Sequence, residues 1–190
     1  MTPAQEALNA ATMIMPTAAL LLQQSTMPDP SKIYQVLLLG TVAHFPIAFS
    51  YHMAVALGIF PDWLDNWLRR WDQAAQHVLC IAFSWALSRG STAFTAFNLA
   101  VNSHFIVQVY RKNDGRRWMP VAFCTFLYLL PMLWPRRDHG NYAQAILSMT
   151  IGGLAFVPEI NMKVFKGWGH SCVFHVALFF YARALGRSTL

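Results

Sequence analysis

The sequence predicts an all-α membrane protein: seven transmembrane helices in one bundle, forming a single domain over residues 1–190. Three observations point there. Hydrophobic residues make up 56% of the chain and charged residues only 12%, which leaves too few polar groups to cover a soluble domain of this length. The formal charges fall between long charge-free runs rather than along them. Tryptophan and tyrosine gather near the run ends, among them Tyr34, Trp63, Trp67, Trp71, Tyr110, Trp134 and Trp168, as interfacial aromatic belts do.

A helix crossing a hydrocarbon core needs roughly 20 residues. The expected spans are about 7–28, 33–60, 73–89, 90–110, 118–135, 140–158 and 168–185. The first has no Lys or Arg before Lys32, so it lacks the basic leader of a cleavable signal peptide and reads as a retained span. The second, with LLLG, HFPIAF and AVALGIF, is hard to hide in water. The third and seventh are short, and Arg89 and Arg183 at their ends lengthen them by snorkelling. In the fourth, Asn98 and Asn102 stand four apart and read as interhelical hydrogen bonders, while His104 reads as a packing residue. The fifth and sixth qualify by length and lack of charge.

The loops give an orientation. Arg69, Arg70, Arg111, Lys112, Arg116, Arg117, Lys163 and Lys166 lie on one side, eight against six, which favours an integral, multi-pass protein with its N-terminus in the cytoplasm. The segment RKNDGRRW turns at Asn113-Asp114-Gly115 between two basic pairs, a topogenic and lipid-facing feature. The +6 net charge is dispersed among loops, so the expected partner is the bilayer rather than nucleic acid. Cys80, Cys124 and Cys172 are odd in number and unpaired in spacing, which argues against a disulfide framework.

This topology places Glu6, at the start of the first span, and Asp72, at the lip of the third, on the same face. His52 and His175 should lie about 9–12 Å and about 12 Å inside that face, at matched depth. Ionisable groups within a membrane are rare, and histidine with carboxylate suits Zn²⁺. The plainer readings are interior hydrogen-bonded histidines and, for Asp72, a helix-start carboxylate on the macrodipole. His44 shares a face with His52 but lies deeper, and His77 should face a neighbouring helix.

Three motifs add to this. EALNAAT (Glu6 to Thr12), AFSYHMAVALGIFPDWLDNWLRRWDQAAQH and WGHSCVFH resemble, in order, the opening, second-to-third-span and seventh-span motifs of the hemolysin III and progestin and adipoQ receptor family, a seven-span superfamily that includes alkaline ceramidases. The resemblance implies His52 and His175 as metal ligands, Asp72 as the group that holds or deprotonates a water, and Glu6 and Asn9 at the mouth. The chain departs from the family pattern in three places. Ala48 stands where the family has serine, with Ser50 nearby, and Met13 follows Thr12 where a histidine is expected. Ser171 replaces the histidine four before His175, so the third ligand would come from His170, five before, if the helix begins late or bulges there, or from Cys172, three before.

The function implied is zinc-dependent hydrolysis of a lipid amide of the ceramide type. The alternative is a non-catalytic membrane receptor or interaction protein with a degenerate metal site. No charged ring or continuous polar stripe supports a pore.

Overall fold

The computed structural model describes residues 1–60, 66–111, 118–133 and 139–189. Trp63, Lys112, the Asn113-Asp114-Gly115 turn, Arg116, Arg117 and Trp134 lie outside the described residues.

The described chain is helical throughout, and its breaks follow proline and glycine. Helix α1 (Pro3–Thr12) starts on a reciprocal cap: Thr2 Oγ1 accepts from Gln5 N–H at 3.3 Å, and Thr2 N–H donates to Gln5 Oε1 at 2.7 Å. Pro16 has no N–H for the carbonyl of Thr12, so the helix stops there and restarts as α2 (Met15–Gln24). Helix α3 (Lys32–Ala56) begins under the Ser31 cap and ends near Gly58, whose φ of 71° is left-handed. Asn66 caps α4 (Trp67–Leu87), and Arg89 and Gly90, both at positive φ, turn the chain into α5 (Thr92–Arg111). Pro131 falls where α6 (Trp118–Leu129) tightens into a 3₁₀ turn, Leu130–Leu133. Helix α7 (His139–Phe156) gives way at Pro158 to α8 (Pro158–Phe165). A five-residue π-helical turn, His170–Phe174, then leads into α9 (His175–Ser188).

The seven-span expectation is overturned. Among the described residues only α3 is both long and apolar enough to cross a membrane. The expected run 7–28 is two helices of ten residues each, and 118–135 is twelve residues of α-helix plus a 3₁₀ turn. Helices α4, α5 and α7 have the length but not the apolarity, because α4 carries Arg69, Arg70 and Asp72, and α5 and α7 are interrupted by Asn, Gln, Ser and Thr. Counting formal charges alone passed over those neutral polar groups.

Helix α3 packs on α4 and α1, α4 on α5 and α6, and α9 on α7 and α2. The core joins Leu20, Tyr34, Leu37, Phe83, Leu129 and Leu185. The Tyr128 and Tyr181 hydroxyls bond to each other inside it. Close approach needs small residues: a Cβ on Gly152 would stand 3.0 Å from Ala177 Cβ, so α7 can press against α9 there only without a side chain. Large apolar side chains also cover the outside, with Leu22, Leu39, Leu57 and Val164 each more than 60% exposed. His77 is buried and bridges α4 to α5, its Nδ1 2.9 Å from Asn102 Oδ1 and its ring stacked on Phe105. Asn102 thus makes the expected interhelical bond through its oxygen, while the Asn98 and Asn102 NH2 groups donate back into α5, to Phe94 O and Asn98 O.

Tyr34 is fully buried, and its hydroxyl donates to Leu20 O at 2.5 Å, clasping α3 to α2. Tyr34→Phe should cost about 1 kcal/mol of stability, read as a lower thermal midpoint in detergent. An unchanged midpoint would show that this clasp contributes nothing.

Candidate functional site

The site lies where α1, the C-terminal half of α3 and the π turn meet. Its residues come together because of a local irregularity. In an α-helix, residues five apart point about 140° away from each other. Between His170 and Phe174 the hydrogen bonding widens, and the His175 N–H bonds His170 O. The i→i+5 ring takes about one more residue per turn, so positions five apart come nearly above one another. The His170 and His175 ring centroids are 4.7 Å apart.

The chain before the turn fixes where it begins. Lys166 and Gly167 both adopt positive φ, and Gln5 Nε2 donates to Lys166 O at 2.9 Å, tying this bend to α1. The Gly169 N–H donates to Asn161 Oδ1 at 2.8 Å. A Cβ on Gly169 would lie 2.8 Å from Ala155 O, Asn161 Oδ1 and Phe165 Cδ2, so only glycine fits between α7 and α8. Phe156 and Phe174 then flank the His170 ring at 5.0 and 5.4 Å.

His52, near the end of α3, completes a three-histidine cluster, with ring centroids 5.3 Å from His170 and 6.5 Å from His175. Its Nδ1 lies 2.7 Å from Glu6 Oε2, and Asn9 Nδ2 donates to the same oxygen at 3.4 Å. An ionised Glu6 can only accept, so the hydrogen sits on His52 Nδ1. His175 Nδ1 lies 2.6 Å from Thr12 Oγ1, whose own hydrogen goes to Leu8 O at 2.7 Å. The Thr12 hydroxyl therefore accepts from His175 Nδ1–H. In its neutral form each imidazole keeps a lone pair on Nε2, and that of His175, in a residue with no exposed surface, has no hydrogen-bond partner among the described residues.

The remaining expected site residues divide. Asp72 is the sixth residue of α4, not its cap, because the helix begins at Trp67. It is buried, accepts from Gln76 Nε2 at 3.2 Å through one oxygen, and has its other oxygen 3.3 Å from His44 Nε2. That approach is at ion-pair distance but without hydrogen-bond geometry, since both atoms lack a hydrogen-bond partner. Ser50 is exposed on α3 and takes no part, whereas Ala48 is buried. Cys172 is exposed on the outer side of the π turn and does not join the cluster. Ser171 is buried but donates to Trp168 O at 3.4 Å. His104 and His139 are both exposed, and His139 is the first residue of α7.

Two participants were not expected from sequence, Thr12 and His44. Thr12 lies six residues after Glu6 in the opening motif, about 120° away from it, and helical spacing gave it no role. His44 had the signal of sharing a face with His52.

Among the described residues no group of three or more His, Cys, Asp or Glu forms a ready metal cage. The histidines are gathered, two of them with their tautomers fixed. Compared with family models, curated proteins and solved structures, the chain matches none.

Gly169→Ala should lower stability by about 1–3 kcal/mol, because the contacts include the backbone carbonyl of Ala155, which cannot swing away. Thermal unfolding reads this directly, and a wild-type midpoint would show that the turn is not wedged at this point.

Proposed function

We propose that the protein is a metal-dependent hydrolase of the hemolysin III and progestin and adipoQ receptor type, acting on an amide bond of a membrane lipid. His52, His170 and His175 would hold zinc. The observation that carries this reading is the pair of fixed tautomers: Glu6 takes the Nδ1 hydrogen of His52 and Thr12 that of His175, which leaves Nε2 lone pairs and one buried, unpartnered nitrogen. Histidines bound to metals ordinarily give their other N–H to a carboxylate or another oxygen in this way.

The ring spacing fits as well. Three imidazoles bound to a tetrahedral ion at about 2.0–2.1 Å have centroids roughly 5 Å apart, against 4.7, 5.3 and 6.5 Å here. Closing the cage would need the His52 and His175 rings to approach each other by about 1–2 Å. Zinc held by these three histidines would supply Lewis acidity, making a water nucleophilic near neutral pH and polarising the amide carbonyl. On this reading Asp72 would take the proton that the water gives up and pass it to the leaving amine, the role the family resemblance implies for it. Glu6 and Thr12 keep the two rings oriented throughout.

Helix α3 is the segment that would hold the chain in a bilayer, since only 22% of its most apolar stretch is buried. The apolar side chains exposed elsewhere on the bundle favour lipid as the surrounding medium and as the source of substrate. Arg69, Arg70, Arg111, Lys163 and Lys166 lie toward the site end of the bundle, where Arg70 Nη1 reaches Tyr110 O and Lys166 O receives Gln5, which favours that end facing the cytoplasm. The second reading, a receptor without catalysis, is favoured by the lack of a ready cage among the described residues.

Elemental mass spectrometry of the detergent-purified chain, kept away from chelators, separates the two. The hydrolase reading expects about one zinc per chain, lost in His52→Ala, His170→Ala and His175→Ala and kept in Cys172→Ala, with cleavage of a fluorescent N-acyl sphingosine. A metal-free wild type that leaves this probe intact would remove the enzyme and leave the receptor.

A further inference from the structure

We propose that His44 is a positioning residue for Asp72: the two form a dyad crossing from α3 to α4 that holds the carboxylate in a fixed orientation. The catalytic consequence rests on the hydrolase reading above; the dyad itself does not.

The case begins with the polar groups left unsatisfied. His44 Nε2 and Asp72 Oδ1 are both buried, both lack a hydrogen-bond partner, and lie 3.3 Å apart. Their side chains are 13% and 9% exposed. A carboxylate so far from water is costly unless it is paired and hydrogen-bonded. Gln76, one turn along the same helix, satisfies only the other oxygen. Among the described residues the group paired with Asp72 Oδ1 is the His44 imidazole, and a small rotation of that ring turns the contact into an N–H donation.

Position sets the role. His44 is two turns of α3 before His52, about 12 Å along the axis, so it comes from deeper in the bundle than the proposed ligands. With His44 donating to Oδ1 and Gln76 to Oδ2, the carboxylate plane is fixed, and each oxygen keeps a lone pair with which to take a proton from water. His44 therefore acts through Asp72 and does not touch the substrate.

The test uses the full chain in detergent micelles with ¹⁵N-labelled histidine. His44→Gln identifies the His44 signals by their loss. Asp72→Asn, which keeps the shape and removes the charge, should move the His44 Nε2 signal; a signal that stays in place overturns the dyad. Zinc content should be the same in His44→Gln as in the wild type, and its loss would make His44 a ligand and overturn the positioning role. Against the N-acyl sphingosine probe, His44→Gln should lower kcat about 10–100-fold with KM unchanged; wild-type kcat overturns the proposal. If His44→Gln fails to fold, Asp72→Asn still reads the contact from the other side. A wild type without zinc would defeat the hydrolase reading alone, because the response of the His44 signal to Asp72→Asn does not depend on metal.

Discussion

The arrangement depends on one widened turn. A regular α-helix from His170 to His175 would place the two imidazoles about 140° apart and leave His52 facing a single histidine. The π turn removes that offset, and it is held from outside by its neighbours: Gly169 wedged against Ala155, Asn161 and Phe165, Gln5 reaching across from α1, and two phenylalanines around the His170 ring. Hydrogen bonding in such a turn is poorer than in an α-helix, so it persists where packing imposes it and is often found at functional sites.

Around that turn the polar groups are paired in a particular sense. Glu6 and Thr12, both on α1, each take one imidazole hydrogen, from two different helices. Helix α1 is thus less a wall of the bundle than an orienting strip for the rings. Its short length follows from Pro16, which ends it just after Thr12 has been placed beside His175.

How much of this could be read in the sequence depended on whether the signal was local. The helical runs are written in apolar stretches and in Pro and Gly breaks, and so was the nearness of Glu6, His52 and His175, because helical rise converts directly into depth. The place for a bulge at His170 followed from counting five residues where four would serve. The seven membrane crossings did not hold: a charge-free stretch such as 90–110 still carries Asn98, Asn102, His104 and Gln108, and the break at Pro16 halves the first run. Asp72 was read as a helix start because the first turn of α4, with Arg69 and Arg70, looked like loop. The exposure of Ser50 and Cys172, and the pairing of His44 with Asp72, are set by how whole helices rotate against each other, which spacing along one helix does not specify.

The central claim is that three imidazoles, from α3 and from both ends of the π turn, can close on one ion. Zinc K-edge X-ray absorption of the purified chain tests it most directly, because imidazole rings scatter with a recognisable signature and can be counted. Three per zinc, falling to two in His170→Ala, is the predicted result. A chain that takes up no zinc, or whose zinc sees one imidazole and a sulfur neighbour, would contradict it.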